Sequence, residues 1–374
     1  MPVNRRAAIT STRRTLSVLS NFPPSARTST RRVAYVGWSG NGNLGDEAML
    51  AAHRSLLPEW DILQVPNPPG IERMTAPLLR RVAAICLGGG TLIFNGHFRR
   101  TLETLMRAAP DAPRVMLSVG AEDLDYREGR RAGVTTEVQR WRPLLSEFES
   151  IRVRGPLSQE ALRLAGLQSV VVGDPALALP TALVSAESTT EARARVGVNF
   201  GVTDDMWGGN HSAFRAAMVA TVRRLVDDGH DVVLLATTLQ DHAHLREIST
   251  ELARQGTTVR GPNKVTLPAL DAALQDCDIV VAEKLHALVL AARFAIPTVA
   301  LEYRPKCRDF QLSIGRGGQV LKTSEVDTEV LSRMVTNELN ASHERDRLSG
   351  VVKHHQAELR RSAAMMERAM REPS

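Results

Sequence analysis

The sequence predicts an α/β protein built from two Rossmann-like domains that face a central cleft. From residue 33 onward, short apolar runs alternate with helix-period segments, the order that a parallel sheet requires. Apolar periodicity is lost over 180–194, a linker-like stretch, and restarts at Val196-Gly197-Val198-Asn199-Phe200. A chain of 374 residues is too long for one ordinary core, and its 43% hydrophobic content supports two globular units. The expected divisions are a basic arm over 1–32, an N-terminal domain over 33–185, a C-terminal domain over 195–343 and a helical tail over 344–374.

In the first half, strands are expected at 33–37, 61–65, 83–87, 114–119, 150–154 and 169–172. Helices fit at 46–57, 98–109, 136–147 and 156–165, the last ended by Gly166. The second half places strands at 196–200, 231–236, 256–260, 278–282 and 297–301, with helices near 211–228, 241–254, 266–276 and 285–294. The tail over 344–371 has helical composition and is expected to pack back across the first domain. In such folds the loops at the carboxyl ends of the strands converge on the cleft, so residues just after strands carry the chemistry.

The first of these loops reads Gly37-Trp38-Ser39-Gly40-Asn41-Gly42-Asn43-Leu44-Gly45-Asp46-Glu47. A glycine-rich turn into a helix exposes backbone amides to an anion. Gly40 to Gly45 even satisfies Gly-x-Gly-x-x-Gly, but Asp46 and Glu47 would repel a pyrophosphate, and no P-loop Lys-Ser/Thr follows. Asp46 is either a helix N-cap or a reactive carboxylate. Strand 83–87 ends in Gly88-Gly89-Gly90-Thr91, which permits close approach of a ligand or forms a tight turn. Arg152 and Arg154 flank Val153 on one face just before Gly155-Pro156, and either can serve a structural salt bridge or an anion. Gly173-Asp174-Pro175 has the composition of a turn or cap. In the second half, Glu283-Lys284-Leu285-His286 stands at a strand-to-helix junction, and Tyr303-Arg304-Pro305-Lys306 follows the next strand. Several cations and one histidine on a common rim imply a substrate bearing phosphate or carboxylate.

Composition excludes other classes. The net charge of +6 is concentrated in residues 1–32, which hold seven of the 47 basic and none of the 41 acidic residues, leaving the body near neutral. That Ser/Thr/Arg-rich arm reads as a solvated leader, with anionic lipid at the inner face of the membrane as its alternative contact. Only 4% of residues are aromatic, too few for a base-stacking platform, so no nucleic acid is expected. Cys86, Cys277 and Cys307 are far apart and fit neither a disulfide framework nor a zinc site, which favours a reducing cytoplasm. His97, His242, His244, His354 and His355 lack ligand-spaced partners, so no metal is expected. No apolar run reaches membrane-spanning length.

Six pieces of sequence, in order and at strand ends, resemble the polysaccharide pyruvyl transferase family: Gly42 to Glu47, Gly88 to Thr91, Val153 to Ser158, Gly173 to Ala176, Leu285-His286-Ala287, and Tyr303 to Lys306. The likeness covers about residues 33–310. It implies a fold similar to GT-B glycosyltransferases and transfer of a pyruvyl group from phosphoenolpyruvate onto two hydroxyls of a sugar, releasing phosphate. The chain has Lys284 where the family commonly has Arg, which loses a bidentate fork, and Leu117-Ser118 where Gln-Ser is usual.

The resemblance and the inventory together assign His286 and Asp46 to proton transfer, and Arg154, Lys284, Arg304 and Lys306 to the donor's anionic groups. Asn43, Gly45, Glu47, Gly89, Gly90 and Thr91 fall on the acceptor side. Phosphoenolpyruvate is expected as co-substrate with no cofactor, and a glycan or lipid-linked sugar as acceptor, for cell-envelope polysaccharide. Rival readings are a nucleotide-sugar glycosyltransferase and a noncatalytic carbohydrate-binding relative.

Overall fold

The structure, a computed structural model, describes residues 31–40, 42–66, 79–124, 126, 128–181, 193–201 and 209–372. The arm up to residue 30, the linker over 182–192 and Asn41 lie outside the described residues.

Two parallel sheets form the frame. In the first, strands β1 (Arg32–Val36), β2 (Asp61–Gln64), β3 (Ala84–Leu87) and β5 (Arg114–Met116) lie in the order β2-β1-β3-β5. In the second, β9 (Arg195–Asn199), β10 (Asp231–Leu234), β11 (Ile279–Ala282), β12 (Thr298–Glu302) and β13 (Val320–Lys322) lie in the order β10-β9-β11-β12-β13. Each sheet therefore reverses direction beside its first strand, between β1 and β3 and between β9 and β11. That reversal opens a crevice at the carboxyl ends of the strands. Val33, Ala34, Tyr35 and Val36 are all buried, as a strand covered on both faces requires.

Two small parallel pairs extend the first half: β4 (Thr91–Ile93) with β6 (Gly120–Ala121), and β7 (Arg152–Val153) with β8 (Val170–Val171). Its helices are α1 (Leu44–Leu56), α2 (Gly96–Ala108), α3 (Glu128–Leu145) and α4 (Pro156–Leu164). Those of the second are α5 (His211–Asp227), α6 (Leu239–Arg254), α7 (Leu267–Gln275), α8 (Leu285–Arg293), α9 (Pro305–Ser313) and α10 (Thr328–Leu339). Helix α11 (Glu344–Arg371) closes the chain.

Most expected elements stand where periodicity placed them, with two kinds of departure. The strand expected at 256–260 is reduced to a bridge in which Arg260 N donates to Val232 O at 2.9 Å and Arg260 O accepts from Leu234 N at 3.0 Å. Gly256 at φ +82° and Pro262, which has no N–H, leave too short a run for a ladder. Conversely, α9, α10 and the short β4, β6 and β13 are not among the expected elements. All but α10 are brief or nearly aperiodic, whereas α10 buries Leu331 and Val335 along one stripe.

The halves share a core. One buried cluster joins Leu44, Met49 and Leu50 of α1 to Leu285 and Leu288 of α8, Phe310 of α9 and Leu359 and Met366 of α11. The tail helix does return to the first half: it buries Leu348, Val352, Leu359, Ala363, Met366 and Met370, a helical stripe. Gln356 Nε2 donates to Leu177 O at 3.0 Å, and Arg371 pairs with Glu59 at 2.7 Å.

Candidate active site

The loop after β1 enters α1 through Asn43, whose Oδ1 accepts from Gly45 N at 3.0 Å. Asn43 is therefore the N-cap, and the Asp46 carboxylate lies inside the first turn and does not cap the helix. Leu44 N donates to Thr237 O of the other half at 3.0 Å, seating the helix start against the second sheet.

A cavity of about 260 Å³ opens at this junction, lined from the first half by Trp38, Asn43, Asp46, Gly90, Thr91 and Arg154 and from the second by His286, Arg304 and Lys306. Phe94 and Phe98 complete an aromatic side. Eight of the residues singled out in the sequence thus meet in one place, although they come from loops up to 263 positions apart.

Arg154 is buried and central. Its Nη2 donates to Thr91 Oγ1 at 3.0 Å, Nη1 lies 3.9 Å from Asp174 Oδ2, and Nε lies 3.8 Å from Asp309 Oδ2. Asp174 does cap a turn, as its Pro-flanked position predicts, with Oδ1 accepting from Ala176 N at 2.9 Å. Its other oxygen faces the site, 3.9 Å from both Arg154 and His286 Nε2. Arg304 pairs with Glu122 and lies 5.3 Å from the Phe94 ring centroid, a cation–π contact. Lys306 sits 4.9 Å from the Tyr303 ring centroid.

Burial, with little water to solvate charge, inverts the usual protonation order. It pushes the Asp46 carboxyl up to about 7; Lys306 opposes the rise, and Glu47 and Asp174 add to it. Burial also pulls the His286 imidazole down to about 3, with Lys306 and Arg154 adding to the fall. The Lys306 ammonium drops to about 8 through burial and the nearby Arg304. Asp174 and Asp309 are likewise raised by burial, with Arg154 holding them back. At neutral pH, Asp46 thus exchanges a proton readily, and His286 is a neutral ring. Asp46 Oδ2, His286 Nε2, Arg154 Nε and Asp174 Oδ2 are all buried without a protein hydrogen-bond partner. Orphaned polar atoms are rare in folded proteins, and four at one site mark a surface built for a polar ligand.

Four residues expected at the site stand outside the cavity lining. Lys284 is the N-cap of α8, with extended backbone, and its Nζ lies 3.8 Å from Asp241 Oδ1 and 5.4 Å from the centroid of the Tyr303 ring that Lys306 also faces. Glu47 accepts from Gly40 N at 2.7 Å and so closes its own loop. Gly89 N donates to the Tyr35 hydroxyl at 3.1 Å behind the cavity. Gly45 lies under His286: a Cβ there would be 1.8 Å from Nδ1. Gly45→Ala is therefore expected to displace the imidazole and lower transferase turnover about tenfold or more, with folding checked by circular dichroism.

Asp309 is a site residue that the sequence does not single out. It lies on α9, yet its Oδ1 accepts from Leu157 N at 2.9 Å and Ser158 N at 3.2 Å, and Ser158 Oγ donates to its Oδ2 at 2.6 Å. It thus caps α4 from the opposite half, replacing the side chain that Gly155 lacks. A glycine at that N-cap was the available signal, because a helix start needs an acceptor from somewhere.

A profile of the family described as polysaccharide pyruvyl transferase matches residues 12–305, most of the chain. The chain belongs to the polysaccharide pyruvyl transferase family. It is accordingly a transferase, and the match takes in every loop of the cavity up to the start of α9. Among curated proteins, none matches this pyruvyl transferase family member in sequence. Solved structures resemble it at low identity. The glycotransferase of kitacinnamycin superposes with a TM-score of 0.55 at 15% identity, over 90% of this chain and 98% of its own. A putative UDP-N-acetylglucosamine 2-epimerase from Listeria monocytogenes gives 0.58 at 12% identity, over 92% and 96%. The UDP-GlcNAc 2-epimerase from Methanocaldococcus jannaschii gives 0.52 at 10%, over 83% and 92%. These likenesses establish the fold, two facing Rossmann-like units of GT-B type. Among the described residues, no helix is long and apolar enough to cross a membrane.

Proposed function

We propose that this transferase moves the pyruvyl group of phosphoenolpyruvate onto two hydroxyls of a glycan or lipid-linked sugar, forming a pyruvate ketal and releasing inorganic phosphate. The observation that carries this reading is the convergence of Arg154, Arg304 and Lys306 with Asp46 and His286 in one cavity. The three cations suit a donor bearing a phosphate and a carboxylate. Neither Lys284 nor a second nucleotide-sized cation cluster is required.

The chemistry is an addition followed by a substitution at one carbon. The donor's methylene takes a proton while a sugar hydroxyl adds to C2, giving a phosphate-bearing tetrahedral carbon. A second hydroxyl then replaces phosphate at C2: the bond between C2 and the phosphate oxygen breaks with its electron pair going to phosphate, and the hydroxyl's proton passes to the Asp46 carboxylate left by the first step. Asp46, near 7, is the group matched to supply the first proton. His286, neutral before the donor arrives, is the base for a hydroxyl. Bound donor brings negative charge beside it, which raises the imidazole's affinity for the proton it accepts. Buried, unpaired Cys86, Cys277 and Cys307 suit our placement of the enzyme in the reducing cytoplasm, for cell-envelope polysaccharide synthesis.

Incubation with phosphoenolpyruvate and a panel of nucleotide- and lipid-linked sugars tests the reading, with phosphate and a pyruvyl mass increment as readouts. Release of nucleotide without phosphate would establish nucleotide-sugar transfer in its place. Sugar binding without donor consumption would mark a noncatalytic relative. His286→Gln is expected to reduce phosphate release more than tenfold; turnover close to wild type would remove the imidazole from the mechanism.

A further inference from the structure

Trp38 has no role in the chemistry above, yet it is the one aromatic among the large apolar side chains left exposed in the described residues, 43% accessible. It borders the catalytic cavity together with Phe94 and Phe98, a concentration of rings in a chain that is only 4% aromatic. Phe94 is engaged by Arg304, and Phe98 meets Trp38 edge-on, with centroids 5.6 Å apart and planes at 71°. The loop that holds Trp38 is pinned just after it. Gln64 Nε2 donates to Ser39 O at 2.7 Å, and Gly40 N to Glu47 Oε1 at 2.7 Å. The residue before it must be glycine, since a Cβ at Gly37 would lie 2.5 Å from Tyr35 Cε1. An exposed indole held rigidly at a cavity mouth is arranged for contact, because the ordering cost is already met in the free protein.

We propose that Trp38, backed by Phe98, is the acceptor platform, on which the C–H face of a pyranose ring stacks while the sugar's hydroxyl edge turns toward Asp46 and His286. The chemistry selects the sugar over the donor. The face of an indole carries partial negative charge, so it attracts polarised C–H bonds and disfavours a phosphate or carboxylate. The anionic donor belongs instead with Arg154, Arg304 and Lys306. The proposal rests on the acceptor being a sugar, as argued above, and gives it a position on the first half of the fold.

Binding tests it independently of turnover. Methyl pyranosides of glucose, galactose, mannose and N-acetylmannosamine would be titrated into the full chain with inorganic phosphate present, following tryptophan emission. At least one is expected to quench wild type, and Trp38→Phe to lose the quench while keeping part of the affinity. With an acceptor in hand, Trp38→Ala should raise the acceptor KM tenfold or more and leave the KM for phosphoenolpyruvate within about twofold. Absence of quenching by every pyranoside, or equal sugar affinity in Trp38→Ala, overturns the platform. Quenching by UDP but by no pyranoside also overturns it, in favour of base stacking. Sugar-dependent quenching without phosphate release from phosphoenolpyruvate would sustain the platform and reject pyruvyl transfer.

Discussion

Asp46→Asn is expected to abolish most phosphate release, by a factor of about 100 or more, while making the protein more stable at pH 8.5. The first effect follows from the loss of the one carboxyl among the described cavity-lining residues, which titrates near neutrality, since positioned acid–base groups contribute about 10²–10⁴ in rate. The second follows from linkage. The carboxyl titrates near 3.8 in the unfolded chain and near 7 in the fold, so the native state holds its proton more tightly. The resulting stabilisation is complete below about pH 4 and is lost as pH rises through 7. Wild type at pH 8.5 therefore carries a buried, ionised carboxylate that the amide does not. The interval between those two values, at about 1.4 kcal/mol for each tenfold change in proton affinity, sets an upper bound of about 4 kcal/mol. That value already contains the attraction of Lys306, and the buried amide of Asp46→Asn carries its own desolvation cost, so a gain of about 1–3 kcal/mol is expected from urea unfolding at pH 8.5. At pH 3.5 the two proteins should differ little. The variant should also lose the limb near pH 7 from the kcat/KM profile; an unchanged limb would place the titrating group elsewhere.

Asp309→Ala is expected to be the most destabilising of the substitutions considered, by about 3–5 kcal/mol, the range for removing one partner from a buried charged network. Two backbone donors, the amides of Leu157 and Ser158, lose their acceptor at once, and the Ser158 hydroxyl is left with Ala121 O at 3.3 Å. Arg154, 3.8 Å away, keeps Asp174 but loses its second carboxylate. Because α9 belongs to one half and α4 to the other, the loss falls on the contact between them. Asp309→Asn retains an acceptor oxygen for the helix start and should recover part of the stability. Guanidinium unfolding of the three proteins checks the order, and equal midpoints would show that α4 needs no cap from across the cleft. Arg154 turnover effects should follow the same order, since the carboxylate holds the guanidinium in the cavity.

The strand-end residues were legible because their signals are local. An apolar run followed by Gly-Gly-Gly-Thr, or by Glu-Lys-Leu-His, announces a turn at the end of a strand from neighbouring residues alone. Lys284, His286, Arg304 and Lys306 could therefore be placed on one rim, and Asp46 and Arg154 at strand ends facing the same cleft, before any contact between them was visible. Lys284 and Glu47 stand next to the cavity without lining it. Lys284 reaches Asp241 and the Tyr303 ring, and Glu47 satisfies the Gly40 amide. Trp38 and Asp309 escaped notice for a different reason. One is a lone aromatic in a glycine loop, and the other sits in a helix with little apolar period. Each becomes informative only through partners distant in sequence, as with Asp309 and Ser158, 151 positions apart.

The sequence by itself determined the two α/β units, the glycine loops and the membership in a transferase family, since periodicity, turn chemistry and motif order are properties of short stretches of chain. The tertiary structure alone decided protonation. An ordinary histidine titrates near neutrality and an ordinary aspartate well below it, yet here the Asp46 carboxyl rises to about 7 and the His286 imidazole falls to about 3. Desolvation and Coulomb interaction depend on what surrounds a group in space, and those surroundings are assembled from both halves of the fold.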